Sequence, residues 1–369
     1  MKDSSIGLCQ IPPPGQMSGP QNRDNNFDAV RLLAAAAVIF GHAHPLTNTP
    51  SPVLFGNSVQ AIAVKIFFVI SGFLICKSWV LDPNPFRYFT KRAVRIFPAL
   101  IVITIISAFV LGPLLTSLPL IDYLTSPRTY LYLKNILLYP IYDLPGLFAN
   151  NTYPVAVNGS LWSLPVEFAM YLTIPFAITL ATIVRRKASI WLAAVALCAV
   201  SLSLVRLHAP EKHPVLYGTD LISALDVAPY FLIGASIAYT GLERFMRPVI
   251  ALFLLGILTL FQPSSAVASE IALYILLPIC VLATCINSET ILKGAGYLGD
   301  FSYGLYLYGF LIQQIVNQIF HNSLSALQNA AISLPISLLF AIASWHLIEK
   351  PALAKKPQRK SNLILKASN

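Results

Sequence analysis

The sequence predicts an all-α integral membrane protein, a helix bundle that crosses the bilayer about ten times. Composition, the length of the apolar runs and the side on which basic residues fall all point there. Of the 369 residues, 56% are hydrophobic and 11% charged, and the mean hydropathy is +0.69. An average soluble chain carries about 25% charged residues, so this one has too little polar surface to face water on all sides. Runs of about 20 apolar residues match the hydrocarbon thickness of a membrane. In lipid the backbone must satisfy its own donors and acceptors, which makes such runs helices. The alternating segments of a transmembrane β-barrel are absent from the sequence.

In chain order the expected spans are 28–46, 58–80, 97–116, 163–184, 188–206, 221–240, 248–262, 267–287, 300–320 and 329–348. Residues 1–26 are polar and rich in Pro, Gly and Asn, which predicts a disordered cytoplasmic tail with no cleavable signal peptide. A transmembrane domain over 27–350 and a basic cytoplasmic tail over 351–369 complete the chain. With both termini in the cytoplasm, basic residues gather on that side, around Arg31, over Arg87–Arg95, at Arg185–Lys187, at Arg244 and Arg247, at Lys293, and after Lys350. The opposite loops hold only Arg128, Lys134, Arg206 and Lys212. That asymmetry is the positive-inside pattern, so the net charge of +10 reads as orientation and no nucleic-acid partner is expected. Cys9, Cys76, Cys198, Cys280 and Cys285 form no metal-ligand spacing, and neither a metal site nor a disulfide framework is expected. The longest loop, 117–160, carries Tyr130, Tyr132, Tyr139, Tyr142 and Tyr153, and is expected to lie outside along the membrane surface. Stacking on a sugar is the alternative role for those rings.

Charges within spans are costly and mark function by default. The first span, FDAVRLLAAAAVIFGHAH, puts Asp28, Arg31 and His42 on one stripe. Eleven steps separate Arg31 from His42, leaving them within about 20° of alignment and roughly 16 Å apart along the axis. His44 points nearly the other way. The competing reading of His42 is a headgroup-level cap at the outer end of the span. In KIFFVISGFLICKSW, Ser71-Gly72 suits close helix packing, and Lys65 sits mid-membrane, where it either snorkels or pairs with a carboxylate. Arg92 and Arg95 of RYFTKRAVRIFP share a face at the cytoplasmic edge, as membrane anchors or as a fork for phosphate.

The fourth span opens NGSLWSLPVEFAMYL, with Ser163 and Glu167 one turn apart. Glu167 falls at the depth of His42 and is a candidate to orient and charge-stabilise it. Trp162 doubles as an interfacial anchor. The ninth span, LGDFSYGLYLYGFLIQQ, aligns Tyr303 with Tyr306, and sets Ser302, Tyr306, Gly309 and Gln313 in a polar row that either glues helices or lines a cavity. Ser71, Trp162, Ser163, Tyr303 and Tyr306 are the candidate substrate contacts. His346 and Glu349, in SWHLIEKPALAKK, read as anchors at the cytoplasmic exit.

From about Asn26 to Lys356 the chain resembles the membrane-bound acyltransferase 3 family, the O-acyltransferases of surface polysaccharides, lipopolysaccharide and Nod factors. The resemblance rests on the ordered set FDAVRLLAAAAVIFGHAH, FFVISGFL, RAVRIFP, NGSLWSLPVEF, FSYGLYLYG and the closing EKP. It implies transfer of an acyl group, commonly acetyl, from acyl-CoA to a hydroxyl of a carbohydrate or lipid-linked glycan, in the bacterial inner membrane. It further implies that Arg31 and His42 are essential, that Arg92 and Arg95 hold the donor, and that Glu167 is the carboxylate of the fourth-span motif. Many members carry His where this chain has Gly309, which leaves His42 as the sole expected base. The expected chemistry is proton removal from the acceptor by His42, oriented by Glu167 or Asp28. A transporter of a small polyol or glycan is the alternative from a different class, since the same polar stripe would serve as a path.

Overall fold

The computed structural model describes residues 26–183, 188–207, 213–260, 265–286 and 299–357. The basic groups expected at Arg185–Lys187, Lys212 and Lys293, and most of both tails, lie outside these residues. The helices corresponding to the expected spans are α1 Phe27–Leu46, α2 Val59–Leu81, α3 Pro85–Ile106, α4 Ser163–Ile183, α5 Ala188–Arg206, α6 Leu221–Thr240, α7 Pro248–Leu260, α8 Ala266–Ile286, α9 Ser302–Ile319 and α10 Ala326–Ser344. Among the described residues, eight of these helical segments are long and apolar enough to cross a membrane. The exceptions are α7, which is short, and α9, whose polar side chains lower its hydropathy.

The polarity of α9 follows from its position. Nearly every residue from Gly304 to Gln314 is buried, so this helix faces protein and not lipid. Amides tie it to its neighbours. Gln313 Nε2 donates to the Ile39 carbonyl of α1 at 2.8 Å, Asn317 Nδ2 to Leu46 O at 2.8 Å, and Asn329 Nδ2 of α10 to Asn317 Oδ1 at 2.7 Å. The polar row of the ninth span is therefore largely helix glue, worth about 0.6 kcal/mol per bond within a membrane. Elsewhere small residues set the approach. A Cβ on Gly72 would collide with the Phe231 carbonyl of α6, and one on Gly234 with the Val69 carbonyl of α2, so α2 and α6 pack backbone to backbone.

Two boundaries differ from expectation. α3 starts at Pro85, not near 97, because Asn84 caps the Arg87 amide at 2.9 Å and Pro85 suits the first turn. Its basic first half is thus part of the helix. The loop over 117–160 carries structure of its own. It folds into short helices, Leu120–Thr125 and Pro127–Leu131, and a 3₁₀ segment Tyr132–Leu137, with Tyr123 and Tyr132 buried. It is then pinned to α9, with Asn151 Nδ2 donating to Gln314 Oε1 at 2.8 Å, Gln314 Nε2 to Ala156 O at 2.7 Å, and Asn158 Nδ2 to Leu307 O at 2.8 Å. Tyr130 and Tyr153 remain exposed.

Lys65 resolves in favour of pairing. Its side chain is fully buried, 3.1 Å from Asp226 Oδ1 on α6 and 3.4 Å from Glu270 Oε1 on α8, and it donates to Asn57 Oδ1 at 2.6 Å. Arg206, at the end of α5, lies 2.9 Å from Asp226. Two cations and two carboxylates thus offset one another inside the bundle. Lys65→Met should cost about 3–5 kcal/mol, because a buried carboxylate loses its partner. Thermal unfolding in detergent checks this, with the Lys65→Met, Glu270→Gln double variant recovering part of the loss.

Candidate active site

The site has two ends. At the start of α1, Arg31 and the α3 residue Arg95 converge on one carboxylate. Asp300 Oδ2, just before α9, lies 3.4 Å from Arg31 Nη1 and 2.5 Å from Arg95 Nη2. Asp300 is held in turn by the Ser302 amide at 3.3 Å and hydroxyl at 2.5 Å. On the other side α10 passes into a π-helical turn, Trp345–Glu349, that brings buried Glu349 within 3.5 Å of Arg95 Nη1. Ser344 donates to Glu349 Oε1 at 3.0 Å.

Arg92 is held differently. It donates to Ser78 Oγ at 3.0 Å, and its guanidinium lies over the rings of Tyr88 and Tyr171 at 5.7 and 5.9 Å. Among the described residues it forms no ion pair, and its Nε has no hydrogen-bond partner. Arg92 and Arg95 do share a face, as their spacing predicts, but Arg95 is braced by two acids while Arg92 keeps free hydrogen-bonding capacity. Lys356, beyond the last span, adds a further cation here. Burial, with Arg95 and Arg92 nearby, pulls its ammonium down to about 8. Asp82, in the turn before α3, is held well below the usual carboxylate range by its bonds to Arg87 and Lys91.

From this end a polar string runs inward. Tyr171 on α4, whose ring lies against Arg92, donates to Glu167 Oε1 at 2.6 Å. Ser71 of α2 donates to the same oxygen at 2.7 Å. The Tyr306 hydroxyl is 2.6 Å from Ser163 Oγ and donates to Ser160 O at 2.8 Å, while Tyr303 donates to Ile96 O at 2.8 Å beside Arg95. Ser71, Ser163, Tyr303 and Tyr306 thus have their hydroxyls engaged within the protein. Glu167 is bonded to Ser71 and Tyr171, not to His42 as its depth in the span suggests. Asp28 sits at the opposite end of α1 from His42, roughly 21 Å away along the axis, too far to orient it.

His42 occupies the other end. Its ring packs edge-on against Phe310 of α9, with centroids 5.3 Å apart, so it faces the bundle and not lipid. Its Nδ1 is buried without a hydrogen-bond partner. His44 points away as expected, packing on Phe40 and lying 3.2 Å from the Thr49 hydroxyl. At Gly309 any side chain would meet Ile39, since even a Cβ would come within 2.6 Å of Ile39 Cγ1. Ile39 therefore fills space that a larger residue at 309 would need. Trp162 and Gly159, at the head of α4, border a cavity of about 610 Å³ at this end. Among the described residues no group of three or more His, Cys, Asp or Glu side chains is placed to hold a metal.

Spacing alone does not mark Asp300 or Phe310, and Glu349 sits in the site where its place at the cytoplasmic exit suggests an anchor. An acid opening an otherwise uncharged span, or closing an apolar one, was the available signal.

A membrane helix bundle with clustered cations at one end and an open imidazole near the other defines a multi-pass membrane acyltransferase, once set beside its relatives. An acyltransferase domain model matches residues 24–347. An O-acetyl transferase of Shigella phage Sf6 is 30% identical over 345 residues, covering 92% of this chain and 99% of that protein. Nodulation protein 10 of Rhizobium leguminosarum bv. viciae is 33% identical over 174 residues, 42% of this chain and 46% of that one. No solved structure matches. The chain belongs to the acyltransferase 3 family. That membership favours group transfer over the transporter alternative.

Asp300→Asn should destabilise the protein by about 2–4 kcal/mol, discounted for partial solvent access, because two guanidinium groups lose their shared counter-charge. Thermal unfolding in detergent micelles gives the measurement.

Proposed function

We propose that the protein moves an acyl group, acetyl in the first instance, from cytoplasmic acyl-CoA to a hydroxyl of a carbohydrate or lipid-linked glycan at the outer face of a bacterial inner membrane. The observation that carries this reading is the pairing of an unpartnered His42 Nδ1 with a cation cluster at the other end of the same helix. The relative from phage Sf6, described as an O-acetyl transferase, supports the acetyl assignment. The sequence's excess of basic residues at the Arg31 end supports a cytoplasmic placement of that end.

The donor's phosphates bind at the cation cluster. Arg92 is the primary contact, because among the described residues no carboxylate forms an ion pair with it and aromatic rings hold its plane. Arg95 and Arg31, their charge offset by Asp300 and Glu349, supply further hydrogen-bond donors beside it. Lys356 contributes a distance-dependent attraction from the side. The pantetheine arm extends along the string of Tyr171, Glu167 and Tyr306 toward His42.

His42 then removes the proton from an acceptor hydroxyl. The acceptor oxygen attacks the thioester carbonyl carbon, the C–S bond breaks, and the proton on His42 passes to the departing thiolate. Glu167, fixed by Ser71 and Tyr171, acts on the bound donor and on the local field instead of touching the imidazole. With glycine at 309, His42 is the single base assigned to the reaction. Asp28, in the first turn of α1, is too distant to orient His42.

His42→Ala should abolish acyl transfer while the protein still inserts and folds. The assay is mass spectrometry of surface glycans, reading the acyl mass increment, and unaltered product in the variant would remove His42 as the base. The donor site should also be pH-dependent. Lys356 is charged below about 8 and neutral above it, so its attraction for phosphate is present at pH 7 and lost as pH rises toward 9. Calorimetric titration with coenzyme A should give weaker binding at the higher pH, and Lys356→Met should flatten that dependence.

A further inference from the structure

The loop before α4 and the start of α6 enclose a cleft of about 610 Å³, within the roughly 300–1,000 Å³ span of small-molecule sites. None of the chemistry assigned above uses its walls. Tyr142, Tyr153 and Trp162 supply aromatic faces, and Arg128, Asp143 and Asp220 supply charged hydrogen-bonding groups. Arg128 Nε donates to Asp143 Oδ2 at 2.6 Å, which fixes both side chains in place. Asp220 is fixed as the cap of α6, accepting from the Ile222 amide at 2.9 Å and the Ser223 hydroxyl at 2.8 Å. The loop itself is rigidly mounted, through the bonds of Asn151 and Asn158 to α9 and of the α9 residue Gln314 to the Ala156 carbonyl.

The cleft adjoins the base. Gly159 is part of its wall, and a Cβ there would lie 2.8 Å from the edge of the Phe310 ring. The same ring packs edge-on to Tyr153 at 6.2 Å and to His42 at 5.3 Å. One aromatic ring therefore separates the cleft from the imidazole.

Resting on the acyl-transfer reading above, we infer that this cleft is the acceptor subsite and that it holds a neutral pyranose residue of the glycan, whose reacting hydroxyl reaches His42 past the edge of the Phe310 ring. Aromatic faces match the C–H faces of a pyranose ring. Fixed carboxylates accept hydrogen bonds from its hydroxyls, and they outnumber the one arginine, which disfavours an acidic sugar. Arg128, Asp143 and Asp220 among the walls make the cleft a poor match for a wholly apolar lipid tail, even with Pro154, Val155 and Ala156 beside them. The cleft sits at the end opposite the cation cluster, so donor and acceptor approach His42 from different sides.

The test uses the full-length protein in lipid nanodiscs, radiolabelled acetyl-CoA, and total surface glycan, lipid-linked precursors included, extracted from source cells that lack the protein. Trp162→Ala and Tyr153→Ala should each raise the KM for glycan about tenfold, the loss of one aromatic stack, and leave the KM for acetyl-CoA unchanged. Trp162→Phe should recover most of the glycan affinity, which a purely structural role for the indole would not predict. Unchanged glycan KM in both alanine variants overturns the subsite, as does a parallel rise in both KM values. Absence of label transfer by the unaltered protein, with acetyl-CoA bound, overturns the acyl-transfer reading itself and the subsite with it.

Discussion

Asp300 holds the two guanidinium groups of Arg31 and Arg95 against their own repulsion, and the cation cluster is built around it. The constraint is electrostatic and also topological. Arg31 and Asp300 are 269 residues apart, and Asp300 leads directly into α9, so one carboxylate fixes the start of α1, the middle of α3 and the entry to α9. The π-helical turn at Trp345–Glu349 then places a second acid on Arg95. With those two arginines neutralised, Arg92 stands apart, supported by tyrosine rings in place of a counter-ion. The division of labour among three similar side chains comes from their neighbours.

α9 carries that order to the other end. It begins beside Asp300, ties α1 and α10 together through Gln313, Asn317 and Asn329, and pins the long loop through Gln314. A helix of ordinary transmembrane hydropathy could not do this, because each tie needs an amide. Its burial on nearly all sides removes the penalty those amides would meet in lipid. The same helix presents Phe310 to His42, so the imidazole and the loop are positioned from one rigid element.

Much of this was legible in the sequence. Apolar run length located the spans, since backbone satisfaction in lipid leaves few alternatives. Helical periodicity put Arg31 and His42 on one face and Arg92 beside Arg95, because those relations are local. Relations between helices were not legible. Glu167 matched His42 in depth along the membrane, but depth says nothing about rotation around the bundle, and the carboxylate turned to Ser71 and Tyr171. Asp28 shared a stripe with His42, yet rise along the axis placed it at the far end. The π-turn that recruits Glu349 shifts helical phase by a residue, which a fixed 100° projection does not contain. The folded loop depends on side-chain bonds to α9 that have no periodic signature.

The charged quartet of Lys65, Arg206, Asp226 and Glu270, with Lys65 and Glu270 buried, bears on how such a chain is made. Its members arrive on α2, α5, α6 and α8, so an ammonium group delivered early in synthesis must wait for carboxylates that are translated much later. During that interval α2 carries an unpaired ammonium that lipid disfavours. Completion of the quartet joins separately inserted helices into one unit.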